Sequence, residues 1–202
     1  MDKGIEIEKR SFEIIASLMK KKTFRELELP IVMRVIHATG DFDFEDNLRF
    51  HPEAIKAGIR ALKGGKNILV DVNMVAAGIN RRLLERWGGR IISTISEVGG
   101  EEGKTRAETA IEKAINEKIG IIAIGNAPTA LLKTMELIDE GRFKPDLVIG
   151  APVGFVNAEE SKDALWKKSY PFITSLGRKG GSPVAVAVVN GILRLMQGME
   201  WQ

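Results

Sequence analysis

The chain has 202 residues, of which 44% are hydrophobic and 28% are charged, a composition typical of a globular protein and not of a disordered one. It contains no cysteine and only two histidines, which excludes disulfides, thiolate catalysis and metal centres built from cysteine or several histidines. The net charge of +3 is mild and evenly spread, so it does not indicate nucleic-acid binding, although it would favour an acidic small molecule.

No targeting or membrane segment is visible in the sequence. The charged N-terminus lacks the apolar stretch of a signal peptide, and the longest uncharged runs fall short of the roughly 18 apolar residues of a spanning helix. The three tryptophans are widely separated, so they form no basic and aromatic platform for single-stranded nucleic acid. We therefore expect a soluble cytoplasmic protein with neither a membrane nor a nucleic acid as partner.

Hydrophobic periodicity predicts helices and strands in alternation along the chain. The predicted helices span residues 7–22, 52–62, 74–87, 105–117, 128–140, 158–168 and 183–196. The predicted strands span residues 31–36, 68–72, 90–95, 119–124, 147–149 and 172–175. Short apolar strands between amphipathic helices indicate a parallel sheet that is covered on both faces. We therefore expect one doubly wound α/β domain over residues 1–202, with a sheet of five or six strands.

Glycines follow the predicted strands at several turns, namely Gly40, Gly99–Gly100, Gly125, Gly150, Gly154 and Gly177. The carboxyl ends of parallel strands meet at one edge of the sheet, where open α/β sheets bind their ligands. One such glycine has little meaning, because tight turns often need a positive φ. Polar side chains accompany several of these turns, and this favours a large ligand site at that edge.

The segment 99–105, between a predicted strand and a helix, resembles a phosphate-binding P-loop. Its spacing is wrong, because the P-loop has four residues between its glycines and position 98 is valine. Glu101 and Glu102 would also place negative charge where phosphates must lie. A P-loop-like nucleotide enzyme, with Asp71 at the end of a strand as its magnesium ligand, remains an alternative that this motif supports only weakly.

His37 lies at the end of the predicted strand 31–36, beside a glycine turn and acidic residues. A neutral imidazole can donate or accept a proton near pH 7. An isolated histidine more often ties a turn to the backbone, but this chain has few alternatives for proton transfer. It has no cysteine and one tyrosine, and His51 precedes a proline at a predicted helix start, where a surface cap residue is the better interpretation. His37 is therefore the candidate for proton transfer.

Basic and amide side chains lie on turns and at helix starts, namely Arg106, Asn126 and Arg178, and Ser182 opens the last predicted helix. Arginine binds carboxylates through two parallel hydrogen bonds, and the free N–H groups of a helix start also bind anions. Arg178, taken alone, is explained equally well as a solvated loop charge. Together these groups suit a ligand that bears several carboxylates.

Four segments of the sequence resemble the precorrin-8X methylmutases, a family that includes the cobalt-precorrin-8 methylmutases of the cobalamin pathway. They are RVIHATGDFDF (34–44), AIGNAPTAL (123–131), PVGFVNAEESK (152–162) and GRKGGS (177–182). They occur in the family's order, and the resemblance extends from about residue 7 to residue 195. No single segment would suffice, but four in order are specific.

The resemblance implies a three-layer α/β/α, flavodoxin-like fold and a homodimer. It implies an intramolecular methyl shift from C-11 to C-12 of a tetrapyrrole polycarboxylate, which gives hydrogenobyrinate or its cobalt form, cobyrinate. It implies no dissociable organic cofactor and no metal site in the protein, although the substrate itself could carry cobalt. The family's catalytic histidine falls on His37, and the residues assigned to substrate binding are Ser11, Arg34, Thr39, Arg106, Asn126, Arg178 and Ser182.

Two other classes stay open on the residues alone. One is the P-loop-like nucleotide enzyme, which would bind nucleotide in a magnesium-dependent way. The other is a non-catalytic, flavodoxin-like binding module for flavin or for a protein partner, and a flavin module would purify yellow. A shift in the visible spectrum of an added tetrapyrrole acid would favour the methylmutase.

Overall fold

The computed structural model describes residues 3–20 and 23–198. Its strands are β1 (Leu48–Phe50), β2 (Asn67–Val70), β3 (Ile91–Ile92), β4 (Ile119–Ile124), β5 (Leu147–Gly150) and β6 (Phe172–Ser175). Its helices are α1 (Lys3–Leu18), α2 (Glu28–Thr39), α3 (Phe44–Asn47), α4 (Ala54–Lys63), α5 (Asn73–Gly78), α6 (Arg81–Glu85), α7 (Arg106–Ala114), α8 (Pro128–Asp139), α9 (Ala158–Trp166) and α10 (Ser182–Leu195).

The six strands form one sheet in the order β1-β6-β5-β4-β2-β3. Strands β2 to β6 pair in parallel, whereas β1 pairs with β6 in the antiparallel direction at the edge. Numbered among themselves, the five parallel strands follow the order 2-1-3-4-5, which is the order of flavodoxin-like folds. The predicted doubly wound α/β sheet of five or six strands is therefore confirmed, and the strand order reverses between β2 and β4.

Helices cover both faces of the sheet. Within β4, Ile121 and Ala123 belong to the core on one face, together with α4, α5 and α10. Ile122 and Ile124 belong to the core on the other face, together with α7, α8 and α9. Because both faces are covered, every residue of β4 is buried, and the strand is continuously apolar instead of alternating. On the first face, α2 packs on α10, and α1 packs on α2.

The predicted strand 31–36 is wrong, because these residues lie in the middle of helix α2. All six are buried between α1 and α10 and five of them are apolar, so the segment has no exposed polar face and shows no helical periodicity. Pro30 stands in the first turn of α2, where a missing N–H breaks no helical hydrogen bond. Tertiary burial thus overrides the strand preference of the β-branched residues.

The predicted helix 74–87 is two short helices, α5 and α6. Asn80 separates them, because its side chain accepts a hydrogen bond from the N–H of Leu83 and caps α6. Asn190 of α10 holds this break from both sides, since it accepts from the Asn80 N–H and donates to the Gly78 carbonyl. The predicted helix 7–22 begins earlier, at Lys3, and ends at Leu18, and residues 21–22 lie outside the described residues.

Strand β1 was not predicted, since a three-residue edge strand has too few residues to show a pattern. Within residues 3–20 and 23–198, no helix has the length and apolar character that are needed to cross a bilayer.

Candidate active site

The loops that follow β2, β4, β5 and β6 lie at the carboxyl edge of the sheet, and the strand order reverses between β2 and β4. A crevice opens at such a reversal, because the connections leave the two strands on opposite faces of the sheet. The sequence predicts a ligand site at this edge.

Asp71, the residue after β2, fixes the turn at the crevice. It is fully buried, and its carboxylate accepts the backbone N–H groups of Gly125, Asn126 and Ala127 at 3.0, 2.8 and 2.8 Å. Burial raises the pKa of the Asp71 carboxyl, while these backbone donors act in the opposite direction. The turn after β4 is therefore rigidly held, and the exposed side chain of Asn126 stands at the crevice.

The loop after β6 is locked against the loop after β5. The N–H of Gly181 donates to the Ala151 carbonyl at 2.7 Å, and the N–H of Gly154 donates to the Arg178 carbonyl at 3.2 Å. A Cβ on Gly180 would lie 2.4 Å from the Ala151 oxygen, so only glycine fits there. These contacts place the start of α10 at the carboxyl edge.

Arg178 and Phe155 project together from these two loops. The guanidinium of Arg178 lies 5.7 Å from the centroid of the Phe155 ring, and Phe155 is 87% exposed. An exposed cation beside an exposed aromatic face can meet the carboxylate and the flat surface of a conjugated ligand. Ser182, the first residue of α10, is buried beside the turn after β4, since its Cα would lie 2.8 Å from a Cβ on Gly125.

Lys179 ties this edge to the end of α2. Its Nζ lies 2.6 Å from the carboxylate of Asp41 and 2.6 Å from that of Asp43, both in the segment after α2. These hydrogen bonds raise the pKa of the Lys179 ammonium, and the bond with Lys179 lowers the pKa of the Asp41 carboxyl. The C-terminal end of α2, which carries His37, thus lies at the same edge.

His37 lies in the last turn of α2 and not, as predicted, at the end of a strand. Gly40 ends the helix with a left-handed φ of 67°, and its N–H donates to the Ile36 carbonyl. Gly40 is therefore the C-cap of helix α2 and does not form the predicted strand-to-helix turn. Thr39 completes the same helix end, since its hydroxyl donates to the Val35 carbonyl at 2.8 Å. The exposed imidazole of His37 remains at the edge of the site.

Two neighbouring residues of α1 hold the imidazole of His37. The Oγ of Ser11 lies 2.8 Å from Nδ1 in hydrogen-bond contact. The ring of Phe12 stacks on the imidazole, with 5.0 Å between centroids and 23° between planes. The hydrogen bond occupies Nδ1 and orients the ring, which leaves Nε2 as the nitrogen that a substrate can meet.

Arg34 lies one helical turn before His37, and it is 9% exposed. Its guanidinium lies 5.4 Å from the centroid of the Phe12 ring and donates to Glu8 at 3.0 Å. Glu8 is also 3.4 Å from Arg194 of α10. Burial lowers the pKa of the Arg34 guanidinium, and the hydrogen bond to Glu8 opposes that change. Arg34 therefore supports Phe12 and α1 from behind, and its predicted contact with the substrate stays a prediction.

Arg106 is the first residue of α7, at the far side of the crevice. Its guanidinium donates to the Ile95 carbonyl at 2.8 Å, in the loop after β3. Thr105 caps α7 with Glu108 in a capping box, and its hydroxyl lies 2.9 Å from that of Thr129 in α8. The starts of α7 and α8 are thereby joined, so Arg106 and Asn126 share one side of the edge.

The residues of the P-loop alternative serve the fold. The Nζ of Lys104 lies 2.6 Å from the carboxylate of Glu112 and 3.5 Å from that of Glu101. The Thr105 hydroxyl caps a helix, and Asp71 is surrounded by backbone donors. The lysine, the hydroxyl and the carboxylate that a nucleotide and magnesium would need are thus engaged in contacts within the protein.

The structure places His37, Thr39 and Arg178 toward one end of the carboxyl edge and Arg106 toward the other, with Ser182 beside the turn that carries Asn126 between them. Ser11 reaches this edge from α1 through its bond to His37, and Arg34 lies behind it. Among the described residues, no group of three or more His, Asp or Glu side chains is arranged to hold a metal ion.

The sequence alone assigned no role in the site to Phe12 or Phe155, and placed Asp71 only in the P-loop alternative. Phe155 lies in one of the family segments, which is the signal that could have marked it. Phe12 belongs to the buried stripe of α1, where an apolar residue indicates only packing.

The strand order defines a doubly wound α/β protein, and its carboxyl edge presents polar and cationic side chains. The family model for precorrin-8X methylmutase matches residues 6–195. The chain is 50% identical, over 193 residues, to the cobalt-precorrin-8 methylmutase of Priestia megaterium, covering 93% of this chain and 86% of that protein. It is 38% identical, over 200 residues, to the precorrin-8X methylmutase of a Sinorhizobium species, covering 95% and 94%.

A crystal structure of precorrin-8X methylmutase from Thermus thermophilus superposes with a TM-score of 0.86 at 40% identity, covering 95% of this chain and 98% of that one. The chain therefore belongs to the precorrin-8X methylmutase family. It is an isomerase of the intramolecular methyl transferase class.

Proposed function

We propose that this protein catalyses the shift of a methyl group from C-11 to C-12 of precorrin-8X or cobalt-precorrin-8, in the biosynthesis of cobalamin. The observation that carries the proposal is the imidazole of His37, oriented by Ser11 and Phe12 at an edge that also presents Arg178. Substrate and product contain the same atoms, so the reaction needs no oxidant, reductant or group donor. The proposal accordingly includes no dissociable organic cofactor.

His37 acts as the proton-transfer residue in this proposal. The Ser11 hydroxyl can donate to Nδ1 or accept from it, so it supports both tautomers and the imidazolium. His37 protonates a ring nitrogen or carbon of the substrate from Nε2, which polarises the conjugated system. The methyl group then moves from C-11 to C-12, and His37 recovers a proton as the product tautomer forms. The protein otherwise holds the ring in the reactive tautomer and shape.

The remaining groups of the edge bind the ring's periphery. The substrate bears several acetate and propionate side chains, and Arg178 and Arg106 provide guanidinium groups for them. The exposed ring of Phe155, beside Arg178, offers an apolar surface to the macrocycle. Asn126, Ser182 and Thr39 complete the polar lining.

We also propose that the protein is a homodimer, as the family resemblance implies. Helix α1 exposes Ile7, Ile14 and Leu18, which with Phe42 line an apolar groove of about 630 Å³. Burial of such a surface against a second copy would stabilise association. Light scattering at micromolar concentrations tests the dimer, and Leu18→Lys should shift it toward monomer. A wild-type monomer across this range contradicts it.

The experiment that tests the function is single-turnover conversion of purified precorrin-8X and of cobalt-precorrin-8, followed by their visible spectra. Conversion of either ring to the methyl-shifted acid is the expected result. The ratio of the two rates identifies whether the preferred ring carries cobalt. Titration with hydrogenobyrinic acid measures binding separately. A folded protein that neither converts the rings nor binds the acid contradicts the proposal.

A further inference from the structure

Lys162 of α9 is a fully buried lysine behind the loop that carries Arg178. Its Nζ donates to the backbone carbonyl of Lys179 at 2.7 Å. The hydroxyl of Ser175, at the end of β6, donates to the same carbonyl at 3.0 Å. The Lys179 oxygen therefore receives two side-chain donors, one of which is an ammonium group removed from water.

Burying an ammonium group costs free energy, because the charge loses its water. The need of the Lys179 carbonyl for a hydrogen-bond donor does not explain this cost. Ser175 already donates to that oxygen, and a neutral side chain could add a second hydrogen bond at lower cost. Burial lowers the pKa of Lys162 to about 8, and the charges of Glu159 and Asp163 oppose that change. A hydrogen bond from a charged donor is about twice as strong as a neutral one. A lysine at this position therefore holds the carbonyl more firmly than a neutral donor would.

The position of Lys179 controls two parts of the site. Its backbone follows Arg178 directly, so the Lys179 carbonyl sets the direction of the chain on which the Arg178 side chain stands. Its own side chain reaches Asp41 and Asp43, beyond the end of the helix that carries His37. One residue thus links the carboxylate-binding loop to the catalytic helix.

We propose that Lys162 is a positioning residue of the methylmutase site, whose ammonium holds the Lys179 carbonyl so that Arg178 stands at a fixed place relative to His37. The inference rests on the proposed function for the ligand that Arg178 meets. Lys162 itself lies beneath the loop and does not touch the substrate. Its effect on binding must therefore pass through Arg178, and this dependence can be measured.

The experiment is a double-mutant cycle on the affinity for hydrogenobyrinic acid, measured by spectral titration. Lys162→Met keeps the length and bulk of the side chain and removes the donor, and replacement of a buried charge by an apolar group of similar volume is often neutral or stabilising. We expect Lys162→Met to weaken binding at least about tenfold, because misplacing a group by about 1 Å can cost up to about a hundredfold. Combined with Arg178→Ala, it should cost little more than Arg178→Ala alone.

The matched control is the same cycle with Arg106→Ala. Arg106 lies across the crevice and bonds to a different loop, so its effect and that of Lys162→Met should multiply. A merely structural role for Lys162 would lower the melting temperature and give equal coupling with both arginines. That result, or unchanged affinity in a folded Lys162→Met protein, overturns the inference.

A second measurement needs no ligand. Amide hydrogen exchange should become faster in residues 177–182 of Lys162→Met, while the amides of β6 stay protected. Unchanged exchange in that loop overturns the inference whether or not the wild-type protein binds the acid. Failure of the wild-type protein to bind the acid contradicts the proposed function, and the exchange measurement still tests the inference. If Lys162→Met does not fold, Lys162→Gln, which replaces the ammonium with a neutral amide donor, takes its place in the cycle. Absence of coupling with Arg178 then overturns the inference.

Discussion

The Oγ of Ser11 lies 2.8 Å from Nδ1 of His37, and this contact joins α1 to the last turn of α2. Phe12, the next residue of α1, stacks on the same imidazole. One neighbour fixes the ring by a directional bond and the other by contact with its face. The imidazole is thus oriented before a ligand arrives, which removes an ordering cost from the reaction.

Replacement of this imidazole tests its chemical role. We expect His37→Ala to lower the single-turnover rate by about 10² to 10⁴, the usual effect of losing a positioned proton-transfer group. The affinity for hydrogenobyrinic acid should stay close to that of the wild type, because the arginines proposed to bind its carboxylates remain. The rate is followed by the visible spectrum of the tetrapyrrole, with the melting temperature measured alongside.

His51→Ala is the control for that prediction. His51 accepts the N–H of Glu53 and lies edge-on to Phe172, which is a structural role. Its removal should leave the rate nearly unchanged. A folded His37→Ala protein that turns over at the wild-type rate would show that the proton comes from another group. A His37→Ala protein that does not fold would support a structural role for this histidine.

Ser11→Ala tests the orientation of the imidazole separately. The variant keeps the proton-transfer group but loses the bond at Nδ1, so the ring can rotate and change tautomer. We expect the rate to fall by about tenfold, the value of one hydrogen bond of about 1.4 kcal/mol, with unchanged affinity. Ser17→Ala is the matched control on the same helix, since its hydroxyl bonds to the Ile14 carbonyl and, among the described residues, has no bond to His37. Equal rates in both variants would remove Ser11 from the mechanism.

Strands 119–124 and 172–175 were predicted to the residue, whereas the equally buried segment 31–36 is a helix. All three segments are rich in β-branched residues and are buried on every side. The difference lies in what surrounds them, because the first two pair with neighbouring strands and the third packs between α1 and α10. A short apolar run carries no local signal of that choice.

The carboxyl-edge position of Asn126, Arg178 and Ser182 could be predicted, because it follows from the alternation of strands and helices. The contacts of Asp71 could not, since its hydrogen-bond partners lie 54 to 56 residues away along the chain. The same holds for Lys162, whose role depends on a carbonyl in another loop. Sequence patterns thus locate the edge, and long-range hydrogen bonds, which leave no local pattern, determine how rigid it is.

Asp71→Asn tests the rigidity of the crevice turn. The amide that replaces the carboxylate has one oxygen to accept hydrogen bonds, so a backbone N–H of the turn would face an NH₂ group. Leaving a buried donor unpaired costs about 1–3 kcal/mol, and we expect the free energy of unfolding in urea to fall by that amount. Asp146→Asn is the control, because its partly exposed pair with Lys66 should contribute less than about 1 kcal/mol. Equal losses in the two variants would contradict the structural role of Asp71.

The buried ammonium of Lys162 determines in which direction one contribution to the free energy of unfolding changes with pH. Burial lowers its pKa from 10.5 to about 8, so between these values the unfolded chain binds a proton that the folded protein has lost. The free energy of unfolding must therefore rise with pH in that range, by up to about 3.5 kcal/mol at about 1.4 kcal/mol for each unit of pKa difference. We expect wild type to gain this stability relative to Lys162→Met between about pH 8 and pH 10, measured by urea unfolding at each pH. The other titrating groups are common to both proteins and cancel in the difference. A difference that stays flat, or that falls as the pH rises, would show that Lys162 keeps its proton in the folded protein.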